Sequence, residues 1–268
     1  MINHPPNKKP VLNMSIEIVP IPAFDDNYLW LLHNGSQAVV VDPGDAGPVR
    51  RYLSEHQLEL TGILITHHHW DHVNGLESLQ NDWDCVVYGP ADQRIPGDLI
   101  TVREQDVVKL PSLGIELSVM DTPGHTLSHI SFYNDQWLFC GDTLFSIGCG
   151  RMFEGTPDVF SQSLNKIAAL PAELLVYCTH EYTAANIQFA LSIEPQNQGL
   201  QNQQKAVAQQ RAEQQPSLPV RLGDELKLNP FLRTHEPELQ QTLIHINTKL
   251  EPDPVACFAF LRSLKDHF

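Results

Sequence analysis

The stretch Thr66-His67-His68-His69-Trp70-Asp71-His72 decides how this chain is read. Taken as His-x-His-x-Asp-His, it crowds four strong ligand side chains, His67, His69, Asp71 and His72, into six residues. Neutral imidazole and carboxylate are ligands that zinc, iron and manganese accept. In an extended loop the side chains at 67, 69 and 71 point the same way, because the strand period is two. His72 then opens a helical pattern with Val73, Leu76 and Leu79 on one face. A solvated histidine-rich loop is the plain alternative. Such a tract would not be framed by an apolar strand, Ile63-Leu64-Ile65, on one side and an amphipathic helix on the other.

Working outward, the same arrangement recurs. Strands are expected over Ser15–Ile21, Tyr28–Leu32 and Ala38–Val41, the last two joined by the hairpin signal His33-Asn34-Gly35-Ser36. A helix follows over Pro48–Gln57, the apolar run at 63–65 leads into the histidines, and a helix is expected from His72 to Gln80. Further strands are Cys85–Tyr88; Ile115–Met120, ending in Asp121-Thr122-Pro123-Gly124-His125; Ile130–Tyr133; and Trp137–Cys140, ending in Gly141-Asp142-Thr143. After a helix over Pro157–Leu170, the strand Leu174–Cys178 ends in Thr179-His180-Glu181. Four apolar strands thus run into polar loops bearing His or Asp, at 67–72, 125, 142 and 180, and layered α/β proteins build their sites at strand ends.

Past His180 the character changes. Tyr182–Ser192, a Gln-rich exposed stretch Asn197–Gln215, Glu236–Asn247 and Pro254–Lys265 read as helices, and no strand alternation is convincing. The expected organisation is an α/β catalytic domain over 14–180, a helical substrate-binding domain over 181–268, and a polar, Pro-rich, disordered extension over 1–13. No stretch approaches the roughly 18–20 apolar residues that span a bilayer. Nor does the N-terminal stretch hold the apolar core of a signal peptide.

Composition narrows the function. With 42% hydrophobic residues over 268 positions the chain can build a real core. A net charge of −15 argues against nucleic-acid binding, since phosphate would be repelled. Cys85, Cys140, Cys149, Cys178 and Cys257 are odd in number and form no CxxC pair, which fits buried, reduced thiols in a cytoplasmic protein.

Seven candidate ligands emerge: His67, His69, Asp71, His72, His125, Asp142 and His180. They are too many for one tetrahedral zinc, whereas two metals sharing a bridging carboxylate would use them all. Such pairs suit hydrolysis, by activating water and polarising a carbonyl. A lone histidine after a strand is ordinarily satisfied structure, and the matching strand ends of His125 and His180 are what argue otherwise. His129 could support the site from behind, which position alone does not show. Metal identity stays open: zinc is the first expectation, with iron and manganese equally suited to these ligands.

His-x-His-x-Asp-His, Thr122-Pro123-Gly124-His125-Thr126, Gly141-Asp142-Thr143-Leu144-Phe145 and Thr179-His180-Glu181-Tyr182 together resemble the metallo-β-lactamase superfamily. More narrowly, from about Ser15 to its C-terminus the chain is similar to glyoxalase II, the hydroxyacylglutathione hydrolases. That likeness rests on Asp26-Asn27-Tyr28, Gly148-Cys149-Gly150-Arg151, His180-Glu181-Tyr182, Asn229-Pro230-Phe231-Leu232-Arg233 and Leu261-Arg262-Ser263-Leu264-Lys265-Asp266-His267-Phe268. The resemblance implies a four-layer αβ/βα sandwich with a C-terminal helical domain. It implies one metal on His67, His69 and His125, a second on Asp71, His72 and His180, and Asp142 bridging them, with Asp71 and Asp142 holding the metal-bound hydroxide. The implied reaction is hydrolysis of S-D-lactoylglutathione to glutathione and D-lactate, in methylglyoxal detoxification. Arg151, His180, Tyr182, Arg262 and Lys265 would hold the substrate, and a monomer is expected. Two departures stand out: Phe153 where some members carry a Tyr that contacts glutathione, and Ser128 where Gly is usual.

Other activities on the same scaffold fit less well. A tRNA-processing nuclease conflicts with the net charge, a β-lactamase with the missing signal peptide, and a lactonase with the basic pair on the last helix. A metal-storing protein would need no open coordination position, and a turnover assay separates it from an enzyme. Glu181, at an expected helix start, is read as a capping or dipole-stabilising residue.

Overall fold

The computed structural model describes residues 15–268. The extension expected at 1–13 lies outside them. Two sheets face each other. In the first, β1 (Glu17–Ala23), β2 (Asn27–His33), β3 (Gln37–Val41), β4 (Glu59–Leu64), β5 (Val86–Gly89) and β6 (Ile100–Thr101) lie in chain order. The first three are antiparallel and the rest are added in parallel. The second runs β14-β13-β10-β9-β8-β7, from β7 (Val107–Leu110), β8 (Ile115–Asp121), β9 (Ile130–Tyr133), β10 (Trp137–Gly141), β13 (Leu175–Cys178) and β14 (Val220–Arg221). A small hairpin, β11 (Leu144–Phe145) and β12 (Gly148–Cys149), stands apart from both.

Period-two alternation builds the layers. In β2, Leu29 and Leu31 face one core with Ala38 and Val40 of β3, while Trp30 and Leu32 face another with Val39 and Val41. The first core is closed by α1 (Ala46–His56), α2 (Trp70–Val73) and α3 (Leu76–Asp82), through Val49, Leu53, Val73, Leu76 and Leu79. The second fills the space between the sheets with Leu117, Val119, Phe132 and Leu138. It continues into α4 (Pro157–Ala168) and the C-terminal helices through Phe160, Leu239, Phe258 and Leu261. The result is the helix–sheet–sheet–helix sandwich that the family resemblance implied.

Beyond residue 180 lie α5 (Thr183–Ile193), α6 (Gln198–Ala212), α7 (Leu222–Leu228), α8 (Pro237–Ile246) and α9 (Pro254–Asp266). Local chemistry sets several starts: Thr156 caps α4 onto Val159 N and Asp253 caps α9 onto Ala256 N, each with a proline next. Two expectations need correction. The region past 180 is not without a strand: β14 pairs antiparallel with β13 and forms the edge of the second sheet. The helix expected from His72 begins at Trp70 and breaks after Val73, so Asp71 is presented from a helical turn instead of an extended loop. Gly75 sits at the break. Its N–H bonds Pro43 O, and a Cβ there would come within 2.4 Å of that oxygen.

Candidate metal centre

Four strand ends converge. The loop after β4 delivers His67 and His69, and α2 adds Asp71 and His72. The loop after β8 brings His125, β10 ends beside Asp142, and β13 ends beside His180. His68 points the other way, its Nδ1 3.3 Å from Asp92 Oδ2, as alternation requires.

The seven side chains form two triads joined by one carboxylate. The ligand atoms of His67, His69 and His125 lie within 4.8 Å of one another, and so do those of Asp71, His72 and His180. Asp142 stands between the triads: Oδ2 is 3.4 Å from His125 Nε2, while Oδ1 is 3.4 Å from His72 Nε2 and 3.3 Å from His180 Nε2. His67 Nε2, His72 Nε2 and Asp142 Oδ1 are buried without a hydrogen-bond partner among the described residues. Orphaned buried polar atoms are costly. Three of them converging with carboxylates is the donor set a cation satisfies, so these residues fit a metal site.

The opposite ring nitrogens fix the tautomers. His125 Nδ1 lies 2.7 Å from Arg151 O, which only accepts, so Nδ1 carries the proton and Nε2 offers its lone pair. His180 Nδ1 sits 2.7 Å from Asp26 Oδ1 and His72 Nδ1 3.0 Å from Asp42 Oδ2, with the same consequence. Thr66 donates its hydroxyl to Asp42 Oδ2 at 2.7 Å, leaving its oxygen to accept from His67 Nδ1 at 3.0 Å. Each of these imidazoles is aimed by a partner behind it, which is how protein metal sites orient ligands.

Electrostatics differ between the two triads. Burial, with the neighbouring imidazoles, pushes His67 far below the usual histidine range, and burial with His125 and His68 brings His69 to about 4. Burial lowers His125 as well. These rings stay neutral, as ligands must. Burial would lower His180 and His72 too, but Asp142 and Asp26 outweigh it and push His180 up to about 10, and Asp142 and Asp42 raise His72. On these two rings a cation would take the place of the Nε2 proton. Burial would raise Asp142, yet His180, His72 and His125 hold it well below the usual carboxylate range.

Several residues take roles at the site that the sequence did not assign to them. Asp42 backs His72, Asp26 backs His180, and Asn27 donates to Asp71 Oδ2 at 3.0 Å. His129 stacks on His67 at 4.8 Å, and its Nε2 accepts from Asp142 N at 3.2 Å. Asp42 had a usable signal, since β3 also ends in a carboxylate. Although Asp42, His67 and His72 also group within 4.8 Å, both Asp42 oxygens are taken by Thr66 and His72, so it serves from behind.

A cavity of about 340 Å³ opens beside the cluster, with His125 and Asp142 on one side and Arg262 and Lys265 of α9 among its other lining residues. Arg151, Tyr182 and Phe153 line it too. Tyr182 stacks flat on His180 at 4.7 Å, and Phe153 meets His69 and His125 edge-on at 5.4 and 5.3 Å. Lys265 is held below its usual pKa by burial and then by Arg262, so the cavity carries two crowded cations. Ser128 finds a partner in Asp92 Oδ2 at 2.6 Å. The capping role expected for Glu181 is not what the side chain does. It accepts from Tyr28 Oη at 2.9 Å and from Ser217 N at 2.8 Å, with Ser217 Oγ and Arg211 beside it, and α5 starts at Thr183 without a side-chain cap.

Comparison with known proteins points one way. Residues 24–180 match the family described as the metallo-beta-lactamase superfamily, and residues 181–268 that described as hydroxyacylglutathione hydrolase C-terminus. The hydroxyacylglutathione hydrolase of Methylobacillus flagellatus is 46% identical over 252 residues, covering 94% of this chain and 99% of its own. That of Pseudomonas putida is 48% identical over 260 residues, covering 94% and 100%. Among solved structures, ETHE1 from Myxococcus xanthus superposes with a TM-score of 0.61 at 24% identity, covering 91% of this chain and 100% of its own. The BLEG-1 B3 metallo-beta-lactamase gives 0.60 at 23% identity, covering 81% and 99%. These two likenesses speak to the fold.

Proposed function

The chain belongs to the hydroxyacylglutathione hydrolase family of the metallo-β-lactamase superfamily, and from that membership we propose that it hydrolyses the thioester S-D-lactoylglutathione to glutathione and D-lactate, a step of methylglyoxal detoxification. The observation that carries the reading is the division of Asp142, one oxygen toward His125 and the other toward His72 and His180. In this reading His67, His69 and His125 hold one divalent ion, Asp71, His72 and His180 hold a second, and Asp142 holds both. Zinc is the first choice, with iron and manganese compatible. Bound there, two divalent ions supply Lewis acidity at the thioester carbonyl and a water acidified toward neutral pH.

The chain's own residues do the rest. Asp71, from the second triad, and Asp142, between the two, orient the attacking water. The glutathione portion occupies the cavity, where Arg151, Arg262 and Lys265 face its carboxylates, charge-assisted partners of the strong kind. A carboxylate arriving there offsets the burial and the Arg262 repulsion that together lower Lys265. Tyr182 and His180 present a stacked wall beside the reacting centre. A thiol with a pKa of about 8.5 leaves as thiolate without a general acid. Glu181, the nearest spare carboxylate in sequence, is tied up by Tyr28 and Ser217. We keep the boundary between catalytic and substrate-binding parts at 180–181, in support of which the two family matches meet there. We also propose a cytoplasmic monomer. All five cysteines are free, in keeping with a reducing compartment, and no helix among the described residues is long and apolar enough to cross a membrane.

The test is kcat/KM for S-D-lactoylglutathione, a second acylglutathione and the matching amide. Thioester turnover with little amide cleavage is expected, and Glu181→Gln is expected to retain most of it. No thiol release from any acylglutathione would sink the assignment. Amide cleavage abolished in Glu181→Gln would show that a general acid exists.

A further inference from the structure

Between Asp142 and Arg151 the chain doubles back through β11 and β12, and the turn is Ser146-Ile147. Ile147 has φ of 55°, the left-handed region. For a β-branched residue that conformation is strained and persists only where the surroundings impose it. Ile147 is buried with Ile187 and Ala190 of α5 and Leu200 of α6, and its N–H donates to Glu225 Oε2 at 2.7 Å.

The rest of the hairpin is held in the same manner. Asn229 Nδ2 donates to Phe145 O at 3.2 Å, Gly148 O at 2.9 Å and Glu225 Oε2 at 2.9 Å. Asn186 Nδ2 donates to Ser146 O at 3.0 Å. Arg262 Nη1 donates to Cys149 O at 2.8 Å and reaches Gly150 O at 3.4 Å. Every residue from 145 to 150 therefore has a backbone group bonded to a side chain that comes from position 186 or later.

The hairpin in turn touches the candidate ligands. Gly150 lies so close to Asp142 that a Cβ there would stand 1.9 Å from Asp142 O. Arg151 O accepts from His125 Nδ1, and Phe145 meets His180 edge-on at 5.7 Å. Burying a carboxylate is expensive. What Glu225, 1% exposed, supplies is an acceptor for two buried donors.

We propose that Glu225 is a positioning residue for the metal centre: with Asn229 it clamps the Ile147 turn in the one conformation that seats Asp142 and aims His125. The proposal rests on reading Asp142 and His125 as metal ligands. It makes metal binding depend on a residue of α7, which touches neither triad.

Cobalt(II) titration of the metal-free full-length chain, followed by visible absorption, reads affinity and coordination geometry without any substrate. Glu225→Leu keeps the volume and removes the acceptor. It is expected to weaken cobalt binding about tenfold or more and to change the spectrum, in the range typical of residues that orient ligands. Glu225→Gln keeps an acceptor oxygen and is expected to stay within about threefold of wild type. Should Glu225→Leu fail to fold, Glu225→Asp, which withdraws the carboxylate by one methylene, is expected to show the tenfold loss. Wild-type affinity and spectrum in Glu225→Leu, or in Glu225→Asp where Leu does not fold, overturns the proposal. A loss in Glu225→Gln as large as in Glu225→Leu also overturns it. An unmodified chain that binds cobalt but releases no thiol from lactoylglutathione sinks the proposed function alone and leaves this comparison readable.

Discussion

Asp142 faces both triads, so its removal should be felt by both. Asp142→Ala is expected to reduce bound metal from about two ions per chain to well under one, whereas His125→Ala mainly weakens one site. Elemental analysis of the purified variants decides, and one ion per chain unchanged by Asp142→Ala would refute a shared carboxylate. Glu225 carries a second prediction. Burial, with Asp224 alongside, pushes its carboxyl up to about 7 against the Ile147 and Asn229 hydrogen bonds. A carboxyl raised in the folded state binds its proton more tightly there than in the unfolded chain. Its contribution is complete below the ordinary value of 4.5 and is lost as pH rises through about 7. At 1.36 kcal/mol per unit this is worth about 3 kcal/mol. Denaturant unfolding of wild type and Glu225→Gln between about pH 4.5 and 8 should diverge by that order, and parallel curves would exclude it. The seven ligand-type residues were legible because each follows an apolar strand. Asp26, Asp42 and His129 were not assigned, because their use depends on which ring nitrogen they meet after folding. Asp26 and His180 are 154 positions apart.

At the scale of elements, α9 is more than a carrier of two charges. Arg262 is 5% exposed, and its guanidinium also binds Asp266 and the Cys149 and Gly150 carbonyls. Arg262→Ala is therefore expected to raise KM and lower kcat together, with kcat/KM falling about ten- to a hundredfold for a lost charge-assisted bond. Lys265→Ala should act mainly on KM, since among the described residues its one acceptor is Ala185 O at 3.5 Å. Steady-state kinetics on both variants measure this, and an effect of Arg262→Ala on KM alone would show that its grip on the hairpin is idle. Helices with polar caps and prolines were legible, α4 and α9 above all, and so were the long apolar strands. The two-residue strands β6, β11, β12 and β14 were not, because two residues carry no period. Strand β7 does alternate, with Val108 and Leu110 inward and Val107 and Lys109 outward, over a run short enough to pass unassigned.

For the whole molecule, the second core joins what the sequence suggested were separate parts. Phe160 of α4 meets Phe258 of α9 edge-on at 5.6 Å, and Phe231 and Leu239 belong to the same buried cluster as Trp30 and Phe132. Equilibrium unfolding in denaturant is expected to be one cooperative transition by fluorescence and circular dichroism alike. Two separated transitions would mean that residues 181–268 are stable apart. The change of composition after residue 180 was plain in the sequence, but burial shared across it was not, since one apolar residue does not name its neighbours. Strand β14 carries that sharing into the history of each molecule. A ribosome delivers β13 more than forty residues before the strand that covers its edge. Until Val220 and Arg221 emerge, the nascent second sheet ends in an open row of peptide groups, the kind of template on which neighbouring chains pair. The interval of greatest exposure to aggregation is therefore set by translation speed between Cys178 and Val220, and slower decoding there should lower the soluble yield of an unaltered sequence.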